Sequence, residues 1–325
     1  MNRSAGVKVS MLSVVVLNYR NAELALDGIR CLPEAVGTGS YELIVVDNAS
    51  GDGSAAYMRE SLPWARVIET PSNAGFAAGM NAGLRQANGD YVLIMNSDVR
   101  PGAGSVETLL AYMRGHPDVG IAAPLLVDES GRTSRTLLIQ PTIWRAFVPL
   151  LAKLRYKRWC DRLDVCPLAV EACEGAAAIV TRQAIERAGL LDESFFFYYE
   201  IVEWCMRIRQ SGLSVVIVPS AKMTHLGGQS TANRHLAAQV ELKRSEYLLL
   251  RKLFGRAVWC AAVTRDTFSE ALRTLFYAAL ARSAGRRRTR SLEKLAAHAA
   301  VLRWLLRGMP TRDSAWYKNV LGAWE

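Results

Sequence analysis

The chain has 325 residues, half of them hydrophobic and 22% charged, which suits a globular protein with a sizeable core and excludes a disordered or collagen-like chain. Forty Lys and Arg against 30 Asp and Glu leave a formal charge of +10, favouring an anionic partner such as a nucleic acid, an acidic membrane surface or a phosphorylated substrate. Six cysteines without a CxxC pair or zinc-ligand spacing exclude a zinc ribbon or a disulfide scaffold and read as reduced thiols of a cytosolic protein.

The N-terminal residues run straight into an apolar stretch, so no signal peptide is expected. Residues 14–17 read as a strand, 22–32 as a helix, 43–46 as a second strand and 54–62 as its return helix. Residues 67–68 form a short strand, 75–87 a helix and 92–95 another strand. Unbroken β-branched runs mean strands covered on both faces, hence an α/β fold with a mainly parallel central sheet sandwiched by helices. The pattern turns irregular over residues 136–172, an insert that mixes aromatic and basic residues. Regularity returns with a small-residue strand at 175–180, a helix at 183–188, an aromatic stretch leading into a helix that ends near 210, and a strand at 215–218.

Beyond about residue 235 the chain reads as helical, giving a division into 1–235 and a basic helical region, 236–325. In its clearest helix Leu292, Leu295, Ala299, Leu302 and Leu306 share a face, Ser291 stands at the start, and Gly308 with Pro310 ends it. The most apolar long stretches, 136–154 and 259–280, are interrupted by Arg145 and by Arg265 with Asp266, so neither is expected to span a bilayer.

Three strand ends deliver polar groups to one sheet edge: Asn18-Tyr19-Arg20, Asp47-Asn48-Ala49-Ser50 and Asn96-Ser97-Asp98. In open α/β sheets ligands bind beyond the C-terminal edge of the strands. Asn96-Ser97-Asp98 suits a hard cation that takes one or two protein oxygens while phosphates and water supply the rest. Asp47 reads either as acceptor for the ring N–H of a pyrimidine base or as cap of the helix near Ser54. Asn73-Ala74-Gly75-Phe76, with Gly79, Asn81 and Gly83 following, allows a backbone or a ligand to approach closely.

These motifs in this order, continued by Asp192-Glu193-Ser194 through Glu200 and by His225-Leu226-Gly227-Gly228-Gln229-Ser230, resemble glycosyltransferase family 2, and within it the rhamnosyltransferase-like branch, over about residues 9–235. The resemblance implies a GT-A fold, a dTDP- or UDP-sugar donor, inversion at the anomeric carbon and a divalent cation, Mg2+ or Mn2+. It assigns donor contacts to Asn18, Tyr19, Asp47, Asn73, Gly75, Asn81 and Ser97. Asn96 and Asp98 stand at its metal motif, with Asp98 the direct ligand, and His225 either completes that site or is hydrogen-bonded locally.

The pattern departs from the family where Glu-Asp is usual. Here Glu200 is followed by Ile201, and the missing Asp is the expected general base. Glu200 and Glu203, three apart on one helix face, are the candidates to replace it. The reading is therefore an inverting transferase, with L-rhamnose and a lipid-linked or glycan acceptor in cell-wall polysaccharide synthesis as the best assignment. The alternative is a catalytically impaired nucleotide-sugar-binding protein of the same fold. Residues 143–157 and Arg286 to Arg290 read either as a peripheral attachment to the anionic inner face of the cell membrane or as solvated basic faces. No nucleic-acid module is recognisable, and the C-terminal helices suggest a homodimer.

Overall fold

The computed structural model describes residues 11–134, 136–141, 166–227, 234–282 and 286–321. The expectations for residues 143–157, and those for Gly228-Gln229-Ser230, fall outside them. The described chain packs as two compact units, one built from residues 11–140, 166–193 and 201–227, the other from 194–200 and the chain from 234 onward.

The first unit is built on a nine-stranded sheet. In chain order its elements are β1 (Leu12–Asn18), α1 (Ala22–Arg30), α2 (Leu32–Val36), β2 (Tyr41–Asp47), α3 (Ser54–Ser61), β3 (Arg66–Glu69), α4 (Phe76–Leu84), β4 (Tyr91–Asn96), β5 (Val99–Pro101), α5 (Ser105–Gly115) and β6 (Val119–Val127). There follow β7 (Leu137–Leu138), β8 (Leu168–Ala169), β9 (Ala172–Cys173), β10 (Ala177–Thr181), α6 (Arg182–Ala188), α7 (Glu200–Gln210) and β11 (Ser214–His225). The strand order is β3-β2-β1-β4-β10-β6-β11-β5, β8 pairs with β11, and β7 and β9 form a small separate ribbon.

Half of this sheet is the parallel array that the apolar runs predict. β3, β2, β1 and β4 are parallel, and Asn18 is in register with Asp47, so both polar ends reach the same edge. Alternate residues serve opposite faces. Val14, Val16, Val45, Leu93 and Met95 pack into one core with Leu26 and Ile29 of α1 and Val106 and Leu109 of α5. On the other face α4 lies so close that a Cβ on Gly83 would sit 2.3 Å from Val15 Cγ1, and one on Gly79 2.7 Å from Leu17 Cδ1. Those two glycines let the helix backbone rest on the strands.

The other half of the sheet makes it mixed. β10 runs antiparallel between β4 and β6, while β11 is parallel to β6 and antiparallel to β5. The small residues Ala176, Ala177 and Ala178 are all buried there, consistent with a strand enclosed by neighbours.

In the second unit α8 (His235–Leu280) is interrupted at Gly255, whose φ of 76° lies in the left-handed region that favours glycine. α9 (Arg286–Leu306) and α10 (Ala315–Leu321) complete it. Tyr247, Leu250, Val301, Trp304, Leu305 and Tyr317 form its core, with the Tyr247 and Trp304 rings stacked at 6.2 Å. The buried stripe of α9 is thus rotated from the expected one: Leu292 and Leu306 are exposed, and Ala300, Val301, Trp304 and Leu305 face inward. Trp304 buries the largest apolar surface, and its indole N–H also finds the Pro310 carbonyl, so it sets the rotation. The helix also begins earlier, at Arg286, and closes at Gly308, as expected, with the Met309 N–H on the Trp304 carbonyl.

The carboxylates of α8 are turned into this unit. Lys243 and Tyr247 both donate to Asp266, at 2.8 and 3.0 Å, and His298 meets Glu270 at 2.6 Å. Burial works to raise the Asp266 pKa, but the Lys243 and Arg265 charges and hydrogen bonds outweigh it and hold the group below its usual range.

Candidate donor and metal site

The edge where β1 and β2 end is locked by hydrogen bonds around Asp47, itself 1% exposed. Asn18 Nδ2 donates to Asp47 Oδ1 at 2.7 Å, the Ser50 hydroxyl to the same oxygen at 2.6 Å, and the Ser50 N–H to Oδ2 at 3.0 Å. Ser50 Oγ in turn accepts the Arg20 N–H at 2.8 Å. A carboxylate has about four lone-pair sites, so Oδ2 retains capacity for one more donor. Asp47 does not cap the helix at Ser54. Gly53 occupies that cap position without a side-chain bond, and Asp52 accepts the Ser54 N–H instead. Arg20 and Ala49 both adopt positive φ, 56° and 55°, strain of the kind that collects at functional edges. Tyr19 is half-buried beneath the Arg20 guanidinium, 5.3 Å from its ring centre.

The second turn is ordered by amides. Asn48 Nδ2 donates to Asn73 Oδ1 at 3.0 Å and to the Gly75 carbonyl at 3.1 Å, and Asn73 Oδ1 also accepts the Gly75 N–H. Gly75 opens α4 with φ 100°, a conformation only glycine takes freely. Asn81 has a different task from the expected donor contact. Its amide donates to the Leu191 carbonyl and to Glu193 Oε1, both at 2.9 Å, and accepts the Leu191 N–H at 3.0 Å. Both ends of the side chain hold the loop before Ser194, so Asn81 shapes the surroundings rather than offering a free group.

At the third turn Asn96 is anchored by its N–H on the Ala176 carbonyl at 2.8 Å, while its Oδ1 is buried without a hydrogen-bond partner. Ser97 and Asp98 are buried beside it. Pairing of β11 with β5 sets His225 opposite Val99, and the Leu226 N–H bonds the Asp98 carbonyl at 3.0 Å. His225 Nε2 consequently lies 3.4 Å from Asp98 Oδ1. Burial pulls the His225 pKa down, but the Asp98 hydrogen bond and the charges of Asp98 and Glu174 outweigh it, leaving the imidazole above its ordinary value. Glu174, whose charge acts on His225, is a residue that the sequence reading did not single out. Its only signal is an acid placed just before the small-residue strand.

Among the described residues no three His, Cys, Asp or Glu side chains converge to hold a metal ion. The set present is one carboxylate (Asp98), one imidazole (His225) and the orphaned amide oxygen of Asn96. An unpartnered buried oxygen calls for a cation or water, and this set fits a divalent ion that takes its other ligands from a diphosphate.

The carboxylates at the start of α7 behave differently from one another. Glu203 is engaged through both oxygens by Arg207, at 2.8 and 3.0 Å from Nε and 2.8 Å from Nη2. Arg207 in turn donates to the Ala188 and Leu190 carbonyls. Glu203 is therefore part of a structural clamp. Ile201 is 4% exposed and packs on Gly175, next to the Ala176 carbonyl that Asn96 uses. Glu200 is buried and follows Tyr198 and Tyr199, consecutive non-glycine residues with φ of 70° and 65°. Such strain persists only where the surroundings enforce it. The enforcing contacts include Ser245 Oγ on the Phe197 carbonyl at 2.8 Å, Lys252 on Ser194 at 2.9 Å, and the Arg312 guanidinium 3.9 Å from the Phe196 ring centre.

A parallel βαβ array with locked polar turns at its C-terminal edge, continued by a mixed half-sheet, is the GT-A architecture of nucleotide-sugar transferases. Residues 13–172 match the family described as Glycosyl transferase family 2. The chain is 27% identical over 272 residues to an N-acetylglucosaminyl-diphospho-decaprenol L-rhamnosyltransferase of Mycobacterium tuberculosis, covering 77% of this chain and 87% of that one. It is 23% identical over 195 residues to the dTDP-rhamnosyl transferase RfbF of Shigella flexneri, covering 55% and 61%. Its fold is similar to that of the mannosyltransferase PcManGT from Pyrobaculum calidifontis in complex with GDP-Man and Mn2+, with a TM-score of 0.55, 19% identity and coverage of 94% and 89%. Residues 13–172 belong to glycosyltransferase family 2, and the chain is similar to the family's rhamnosyltransferases and is a transferase enzyme.

Proposed function

We propose that this protein transfers L-rhamnose from dTDP-rhamnose, with inversion, to a saccharide on a polyprenyl diphosphate at the cytoplasmic face of the membrane, in cell-surface polysaccharide synthesis. The observation that carries the donor half is the Asp98–His225 pair beside the orphaned Asn96 oxygen. The rhamnosyl donor and the lipid-linked acceptor are supported by the names of the relatives. Asp47, held by Asn18 and Ser50, offers its remaining Oδ2 lone pair to the ring N–H of the pyrimidine. Asn96, Asp98 and His225 would hold Mg2+ or Mn2+, which when bound neutralises the departing diphosphate.

The acceptor oxygen bonds to C1 of the sugar as the C1–O bond to the diphosphate breaks, and the acceptor proton needs a base. Glu203 is committed to Arg207, and Ile201 has no proton-accepting atom, which leaves Glu200. The burial of Ile201 on Gly175 favours a second reading, a protein that binds the donor and turns over slowly or not at all. A thermal-shift panel of dTDP-, UDP- and GDP-sugars with Mn2+ or Mg2+, followed by donor hydrolysis and transfer assays, tests both. The first reading expects metal-dependent stabilisation by dTDP-rhamnose together with transfer. Stabilisation without turnover supports the second, and no metal-dependent stabilisation by any of the three donors overturns both.

A further inference from the structure

The surface of α8 beyond Gly255 is the least explained part of the molecule. Over residues 256–280 this half runs roughly 37 Å at 1.5 Å per residue. Phe268, Leu272, Leu275, Phe276 and Leu280 are all solvent-exposed, Leu275 and Phe268 by 69% and 67%. Their spacing of three and four residues puts them along one side of the helix, together with exposed Ala257, Ala261 and Ala279. Large apolar side chains scattered singly on a surface are ordinary, but a contiguous stripe marks an interaction site.

The charges around the stripe say what fits it. Residues 256–290 contain two acids, Asp266 and Glu270, and both are buried against Lys243, Arg265, Arg273 and His298. The exposed charges over the same span are cationic: Arg256, Arg273, Arg282, Arg288 and Arg290. An apolar helix face flanked within residues 256–290 by exposed bases and no exposed acid, with Glu293 the next exposed acid along the chain, matches an anionic lipid surface, where acyl chains take the leucines and phenylalanines and phosphates take the arginines. A second copy of the same face would instead set arginine against arginine across the contact. Among the described residues no helix is long and apolar enough to cross a membrane, so the fitting geometry is one lying in the interface.

We propose that the face of α8 formed by Phe268, Leu272, Leu275, Phe276 and Leu280, with the arginines around it, docks on an anionic phospholipid bilayer. The proposal is independent of the donor and metal assignments, because vesicle binding and donor turnover are read separately. The full chain is sedimented with vesicles of phosphatidylcholine alone and of phosphatidylcholine mixed with phosphatidylglycerol, at low and high salt, for wild type, Phe268→Glu/Leu275→Glu and Arg282→Gln/Arg288→Gln/Arg290→Gln. Wild type is expected to bind the mixed vesicles at least about tenfold more tightly than the neutral ones. The glutamate variant should lose binding at either salt, and the glutamine variant should keep only the weak, salt-insensitive part. The glutamine variant alters only exposed side chains, so it serves as the test if the glutamate variant fails to fold. Equal binding of wild type and glutamine variant to mixed vesicles, or no wild-type binding, would overturn the proposal. So would a wild-type dimer that the glutamate variant converts to monomer without any vesicle binding, since the stripe would then be covered by a second copy.

Discussion

Ile201 and Gly175 are fitted to one another: a Cβ added to Gly175 would lie 2.5 Å from Ile201 Cγ1, closer than non-bonded carbons approach. The position where the family resemblance leads one to expect an acid is thus filled by a side chain that belongs to the core. Ile201→Asp therefore has two separable effects. Burying an unpaired carboxylate there should lower stability by about 2–4 kcal/mol, read from the denaturation midpoint. If position 201 is the base position, turnover below the melting temperature should rise by roughly 10²- to 10⁴-fold. A stable variant with unchanged turnover would show that Ile201 is not at the base position.

Gly175→Ala tests the packing half alone. Overpacking against Ile201 is expected to cost about 1–3 kcal/mol. Ile201→Ala in the same background should recover part of that loss, because it removes the clashing Cγ1. No interaction between the two changes in a double-mutant cycle would contradict the contact.

On the proposed assignment the two glutamates of α7 should separate by function. Glu203→Gln should lower stability by about 1–3 kcal/mol, because it leaves the half-buried Arg207 guanidinium less well paired, while changing turnover little below the new melting temperature. Glu200→Gln should leave the melting temperature close to wild type and reduce transfer roughly 10²- to 10⁴-fold. The reverse assignment of effects would move the base to Glu203.

At the donor edge, Asp47→Asn and Asp98→Asn should fail in different assays. Asp47→Asn is expected to weaken metal-free nucleotide binding by about tenfold or more, since it replaces a charged acceptor with a neutral one. Asp98→Asn should leave metal-free binding in place and abolish the additional thermal shift expected from Mn2+ with nucleotide diphosphate, the same outcome expected of EDTA with the wild type. Equal loss in both assays for both variants would indicate a folding defect.

The Asn81 clamp predicts a pH dependence. Hydrogen bonds from Asn81 and Arg85, with the Arg85 charge, hold the Glu193 pKa below its usual value. A depressed carboxylate stabilises the fold above its unfolded pKa of about 4.3 and loses that contribution as pH falls through the folded value. Urea midpoints between neutral pH and acid should therefore fall more steeply for wild type than for Asn81→Ala. Parallel curves would show that Glu193 is not coupled to the fold through Asn81.

The parallel half of the sheet and its three polar turns are legible in the sequence because both follow from local pattern. Apolar runs at Val14, Val45 and Leu93 are short and rich in β-branched residues, which favours doubly covered strands, and parallel pairing then brings the polar residues after each to one edge. His225 meeting Asp98 is of another kind. It depends on β11 lying antiparallel to β5, a pairing between distant segments for which the short β5 gives almost no signal. The commitments of Asn81 and Glu203 are hidden for a similar reason, although the Glu203–Arg207 spacing of four was available to be read. The rotation of α9 was decided by the bulk of Trp304, where counting leucines misleads.

Tyr198 and Tyr199 make the entry to Glu200 a place where two demands on a residue diverge. Each left-handed tyrosine holds roughly 1–2 kcal/mol that a glycine would release. The strain is held by the contacts of the preceding residues, Ser245 on the Phe197 carbonyl and Arg312 on the Phe196 ring, which fix the direction in which the chain reaches Glu200. With Glu200 as the proposed base, designs that relax this turn should yield sturdier protein and poorer enzyme.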